Sequence, residues 1–446
     1  MKRVLIVVAV ALVAVMAYFW DGQAPQVEWI EAPEVVGASK PVAFAVSDAG
    51  KGLARIEVTV EQAGQSEVVL REDIGRNWAP WSQADLQRQV AVTPVADLKN
   101  LQLQEGEFTL RVTAYDHANL YFFDRQSSAE KTLRFDRTPP VISILSTQHR
   151  VDQGGAEAVL YRLDEEAAAS GVEVGERSHP GHPLQGRQGH YGAIFALPYN
   201  APLNTRFRVW AEDAAGNRST AQLQVEARVR RFRQRRINIS DSFIEKVAPE
   251  ILSRSGLQPA ETPAQTFLLI NNKMRTDNHR QIRGIIARSA GRLLFDEAFL
   301  QLTNSKVEAP FADQRTYIYQ GQAIDRQTHL GFDLASTAKS PVEAANDGVV
   351  LHAGYLGIYG NCVLIDHGFG VVSLYGHLSS IDVSEGQQVE KGELIGRTGE
   401  TGLAGGDHLH FAIFVQETAV NPLEWWDSSW LGNHIFKRLR GGQGQS

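Results

Sequence analysis

An eight-residue segment occurs twice in this chain. Arg111-Val112-Thr113-Ala114-Tyr115-Asp116-His117-Ala118 and Arg208-Val209-Trp210-Ala211-Glu212-Asp213-Ala214-Ala215 agree at five positions and lie 97 residues apart. Self-similarity at a fixed period means one module built twice. Around the copies run short alternating stretches, Val42 to Val46 and Ile56 to Val60, broken by Gly, Pro, Asn and Asp. That period of two is the signature of half-buried strands. The second copy runs into Gly216-Asn217, a turn pair, so each copy reads as a late strand entering a turn. The expectation is two β-sandwiches, at 25–137 and 138–236, with a boundary near Thr138-Pro139-Pro140. A length of 446 residues calls for further units beyond them.

The two modules resemble the bacterial immunoglobulin-like domains that serve as spacers in envelope proteins, a resemblance carried by that one motif and its period. It implies a rigid stalk, with envelope proteins as the partners such domains would contact. A single cysteine, Cys362, excludes an internal disulfide framework and any multi-cysteine metal site, and it reads as a small core residue. The formal net charge of −7 argues against nucleic acid as a partner. Six of the nine residues from Arg228 to Arg236 are arginine. The run reads as a solvated strand leading into a linker, with a strip facing anionic polymer as the alternative.

Lys2 and Arg3 precede an uncharged apolar run from Val4 to Trp20. Positive charge before such a run keeps the N-terminus in the cytoplasm and sends the rest of the chain outward. Residues 1–24 are therefore expected to be a signal anchor in the inner membrane, a cleaved signal peptide being the rival, with the catalytic part in the periplasm or extracytoplasmic space. Residues 237–306 read as a helical connector. Ser240-Asp241-Ser242 would cap a first helix, and a second is predicted from Gln281 to about Leu302. The connector around Asn271-Asn272 could fold over the site. Residues 431–446 read as a tail.

After about Val307 the chain turns Gly-rich, and its histidines fall at informative spacings. The segments are His329-Leu330-Gly331-Phe332-Asp333, Tyr375-Gly376-His377-Leu378 and Gly406-Asp407-His408-Leu409-His410-Phe411. Catalytic zinc takes three His or carboxylate ligands and leaves a fourth position for water. His329, Asp333 and one histidine of the His-x-His pair supply such a set. Histidines at i and i+2 on a strand share a face, so the other member of the pair opens on the same pocket. Lone histidines such as His352, His367 and His434 read as structural, and His179, His182 and His190 as members of a spacer loop.

These three motifs, with Tyr359-Gly360-Asn361, Ile365-Asp366-His367-Gly368 and Gly392-Glu393-Leu394-Ile395-Gly396, resemble the lysostaphin-type (LytM-type) zinc endopeptidases over roughly 307–430. The resemblance implies one Zn2+ held by His329, Asp333 and His410. It implies His377 and His408 as catalytic histidines; His408, held by the strand beside His410, reads as the base and His377 as the oxyanion donor or proton shuttle, and the sequence also allows the two roles to be exchanged. The substrate it implies is the peptide cross-links of bacterial peptidoglycan. The fold expected is mainly β: two immunoglobulin-like sandwiches, the helical connector and a C-terminal β-rich lysostaphin-type peptidase domain. Some relatives of that family lack zinc ligands and act as non-enzymatic activators of other cell-wall hydrolases, which is the alternative function.

Overall fold

The computed structural model describes residues 24–38, 40, 42–48, 52–74, 89–92, 101, 103–116 and 125–440. The apolar run Val4 to Trp20 and the final Gly441 to Ser446 lie outside the described residues. Among the described residues, no helix is long and apolar enough to cross a membrane. The chain is mainly β and divides into two compact units. One comprises the residues up to Pro140 with Glu212–Arg218, and the other Val141–Ala211 with Ser219 onward.

In the first unit a five-stranded sheet and a three-stranded sheet close over one core. Phe44 and Val46 come from the smaller sheet, and Ile56, Val58, Leu110, Val112 and Leu133 from the larger. The strand Leu53–Gln62 alternates between buried and partly exposed positions, as a sheet with one wet face requires. The sixth position of the repeated segment is each time a buried aspartate that closes a turn. Asp116 Oδ1 accepts from the Arg125 N–H (2.9 Å), and Asp213 Oδ1 from the Asn217 N–H (2.8 Å).

The second unit begins with two four-stranded sheets around Val159, Tyr161, Val172, Phe195, Phe207 and Val209. It continues into a large antiparallel sheet. In spatial order its strands are Lys306–Ala309, Phe332–Ala335, Leu409–Val415, Val371–Leu378, Asn361–Asp366, Gly348–Tyr355 and Gln388–Val389. Val371–Leu378 and Leu409–Val415 are buried at every position, so the centre of this sheet is covered on both faces. A three-stranded sheet flanks it, with Gln234–Ile239 running parallel to Asp313–Tyr319, which pairs antiparallel with Gln322–His329. The arginine run thus enters a sheet of the C-terminal part, and no free linker separates 236 from 237.

The first helix forms over Asp241–Arg254, and the Ser240 hydroxyl accepts from Phe243 N–H at its N-terminus. A second helical stretch opens at Pro263 under a Thr262–Gln265 capping box, widens to a π-turn over Leu269–Met274, and ends at Ile286. The helix predicted to run to Leu302 does not form. Beyond Ile286 the backbone finds partners elsewhere: Ala290 N–H bonds Asp366 Oδ2 (2.8 Å), Leu294 N–H the His367 carbonyl (2.9 Å) and Leu300 N–H the Ala345 carbonyl (2.8 Å). Tertiary donors and acceptors override local propensity there. Residues 428–440, where a tail was expected from 431, are helical, and Leu431, Ile435 and Leu439 are buried. Their spacing of four places them on one helical face.

Candidate metal centre

Strand register brings the cluster together. Asp333 lies directly opposite His410, and His410 has Gly376 as its neighbour on the other side. His329 ends the strand Gln322–His329. Its Nδ1 faces the Pro310 carbonyl at 3.2 Å. A carbonyl only accepts, so Nδ1 carries the proton and Nε2 is a lone pair. That Nε2 lies 2.8 Å from Asp333 Oδ1 and 3.0 Å from His410 Nδ1, which is itself 3.1 Å from Asp333 Oδ1. The three acceptor-type atoms converge, and His410 Nε2 is buried with no hydrogen-bond partner. Such a triangle calls for positive charge among its members, and one carboxylate with two imidazoles fits a divalent metal. Gly331, inside the first motif, is required by contact: a Cβ there would meet His410 Cε1 at 2.7 Å.

The other two histidines sit beside the triangle, with ring centroids 4.8 Å apart. His377 lies in a bulge, where Gly376 and His377 together oppose Cys362 alone, and bulges re-aim a side chain. Its φ of 64° puts a non-glycine residue in the left-handed region, a conformation costing on the order of 1–3 kcal/mol that persists where surrounding contacts hold it. The hold comes from the loop 399–406. The Thr401 hydroxyl accepts from Asn361 N–H (3.0 Å) and donates to the Leu378 carbonyl (3.0 Å), and the Thr401 carbonyl takes His377 Nδ1–H (2.8 Å). His408 Nδ1–H likewise donates to the Gly406 carbonyl (2.8 Å), with Nε2 3.6 Å from Asp333 Oδ1. Both side chains therefore have Nδ1 committed and Nε2 left for the groove.

Burial, with the nearby His408 and His410, holds His377 well below the usual imidazole range. Burial likewise brings His410 down to about 4. For His408 the cost of burial is outweighed by the hydrogen bond and charge of Asp333, and its basicity is raised. The Asp333 carboxyl is held well down, its burial overcome by His329, His408 and His410.

No motif in the sequence marks the residues that support Asp333. Its Oδ2 accepts from Arg315 Nη2 (2.8 Å); Arg315 also contacts Asp313 (3.3 Å), which is fully buried and takes a two-pronged bond from Arg233 (2.9 and 3.0 Å). Arg233 was visible only as one member of the arginine run. Asn271 is also buried, bonded to Asp325 (2.6 Å) and Arg275 (2.7 Å), and neither it nor Asn272 is among the groove's lining residues. The five site residues open on a groove of about 480 Å³, whose other side is formed by Arg235, Ile237, Phe243, Phe267 and Arg275.

The family model described as Peptidase family M23 matches residues 327–422, the span that contains all five residues. That C-terminal span is an M23 peptidase domain. Among named relatives, the DD-carboxypeptidase/endopeptidase Mpg of Neisseria meningitidis serogroup B is 44% identical over 95 residues, 21% of this chain and 22% of the relative. The peptidoglycan DD-endopeptidase ShyA of Vibrio cholerae is 40% identical over 96 residues, 22% of each chain. The chain thus matches about a fifth of the length of these relatives, within the M23 domain. The catalytic domain of lysostaphin from Staphylococcus simulans aligns at 27% identity with TM-score 0.25, covering 29% of this chain and 98% of that one.

Proposed function

We propose that this protein is a zinc-dependent endopeptidase that hydrolyses peptide cross-links of bacterial peptidoglycan. The observation that carries the reading is the triangle of His329 Nε2, Asp333 Oδ1 and His410 Nδ1 beside two histidines that each present Nε2 to one groove. The names of the M23 relatives, among them DD-endopeptidases, support the choice of substrate.

In this reading His329, Asp333 and His410 hold one Zn2+, which when bound acidifies water and polarises a carbonyl. Arg315 fixes the free oxygen of Asp333, so the carboxylate turns the same oxygen toward both imidazoles. Burial keeps His377 neutral, and its committed Nδ1–H leaves Nε2 as a lone pair that accepts a proton. Asp333 favours the protonated form of His408, whose Nε2–H then donates to developing negative charge or to the leaving amine. The first sheet pair acts as an immunoglobulin-like spacer, and the apolar run Val4 to Trp20 anchors the protein at the inner membrane with its catalytic part outside.

The test is mass spectrometry of fragments released from purified peptidoglycan by the zinc-loaded protein. Uncross-linked peptides are expected with the native chain, and at least about a thousandfold less with Asp333→Ala. Equal release by both would end the metal-centred reading. No release by either would favour an activator of other cell-wall hydrolases.

A further inference from the structure

The arginine run and the strand paired with it bring three guanidinium groups, those of Arg233, Arg235 and Arg315, near the candidate metal centre, and they are not equivalent. Arg235 lies in register with Arg315 across the parallel ladder, so their Cα atoms are one strand spacing, about 4.8 Å, apart. Both residues line the groove. The Arg315 guanidinium is taken by Asp333 and Asp313, and that of Arg233 by both oxygens of Asp313. Arg235 makes no hydrogen bond or ion pair through its side chain among the described residues.

A second positive charge comes from the helix Arg275–Ile286. Arg275 also lines the groove, and its donors go to Asn271 Oδ1 (2.7 Å) and the Asn271 carbonyl (3.1 Å), both neutral. Two acidic residues line the groove as well. Asp407 accepts from the Thr398 hydroxyl (2.6 Å) and Lys339 N–H (3.1 Å), and Glu308 lies within ion-pair distance of neither arginine. Both belong to segments next to the site, Asp407 preceding His408 and Glu308 lying on the strand Lys306–Ala309. A bound chain therefore meets uncompensated charge of both signs.

An arginine on an open surface keeps its hydration and needs no partner. In a groove that a peptide fills, the same group loses water and gains most from a charged acceptor with matching geometry, which for a planar guanidinium is a carboxylate. We infer that Arg235 is a specificity-determining residue that binds a carboxylate of the peptide substrate, with Arg275 adding positive charge from the helical side. The assignment rests on the hydrolase reading above.

The test compares two substrates with the zinc-loaded full-length protein. One is a cross-linked disaccharide-peptide dimer released from peptidoglycan by a muramidase; the other is the same dimer with its carboxyl groups converted to amides. The native protein should lose about tenfold or more in kcat/KM on amidation, mostly through KM, the scale of one charge-assisted contact. Arg235→Gln should bring the ratio between the two substrates close to one, Arg235→Lys should restore part of the preference, and Arg235→Glu should invert it. A native protein indifferent to amidation, or an Arg235→Gln variant that keeps the native ratio, would overturn the assignment. Cleavage of neither dimer by the native protein would instead remove the hydrolase reading, and this assignment with it.

Discussion

The two sheet pairs carry a shared repeat yet are buried differently. In the first, strands such as Leu53–Gln62 and Gln126–Phe135 alternate, and the core contains only that pair's own residues among those described. In the second, Ala156–Leu163 and His190–Ala196 are buried almost throughout. Tyr191, Ala193 and Phe195 face the pair's own core, while Ala156, Ala158, Ile194 and Ala196 belong to the core of the M23 domain. Residues on this second face are mostly small, because the neighbour comes close: a Cβ at Gly192 would meet Leu439 Cδ2 at 2.6 Å. The first module keeps one face of its larger sheet wet, whereas in the second the sheet holding Ala156–Leu163 and His190–Ala196 is covered on both faces and only its partner sheet alternates. A repeat in sequence therefore does not imply a repeated environment, and the second pair packs into the same compact unit as the M23 domain where a spacer was expected.

Charge reinforces the joint. Glu157, fully buried, receives His434 Nδ1 at 2.9 Å and lies 3.6 Å from Arg438 Nε, while Arg438 also donates to the carbonyls of Thr147 and Gln148. Glu424 accepts from Ala156 N–H (3.0 Å), an approach that a side chain at Gly155 would obstruct, since its Cβ would meet Glu424 Oε1 at 2.6 Å.

The sharpest way to break this contrast is deletion. Removing residues 25–140 should leave the M23 domain folded and able to cleave soluble cross-linked peptides, whereas removing 141–228 should abolish soluble, active protein by baring the alanine-facing core. Calorimetry and peptide release measure both, and a fully active 229–440 fragment would defeat the idea. Point changes give the next effect. Ile194→Ala should cost the transition that carries peptidase activity about 2–4 kcal/mol, while Val58→Ala should shift only the other transition. A third, separate transition responding to Ile194→Ala would break the single-body description.

The smallest effect concerns pH. Burial raises the Glu424 carboxyl to about 8 from an ordinary 4.5. The folded state therefore binds a proton that the unfolded chain has released. The resulting stability is fully present below about pH 4.5, falls as pH rises and is gone above about pH 8. Glu424→Gln should flatten that slope in the joint unit and leave the first sheet pair unaffected, as thermal melts across this range would show.

The candidate metal centre was the most legible part of the sequence, because its residues sit in short motifs whose spacing is fixed by strand geometry. His329, Asp333, His377, His408 and His410 all meet in one groove. Strand content was readable for the same reason of period. The features that could not be read depended on partners far away in sequence. Arg233 and Asp313 are 80 residues apart, and nothing local marks either as a pair. The helix expected over 281–302 stops because Ser289 and Ala290 bond Asp366. A Cβ at Gly154 would meet Phe311 Cε1 at 2.5 Å, a contact that nothing near Gly154 in the sequence marks. The stripe Leu431, Ile435, Leu439 is a local signal, masked because the residues after it are polar and glycine-rich.

That stripe also bears on the order of events during synthesis. Modules that close on their own residues can fold as soon as they emerge, at a pace of about 5–20 residues per second. The first sheet pair meets that condition. The outward face of Ala156, Ala158 and Ile194 must instead wait for Trp425, Leu431, Ile435 and Leu439, so this core cannot be completed until residue 439 has left the ribosome. Until then its alanine-lined sheet is bare, and a chain truncated before residue 425 would keep it so.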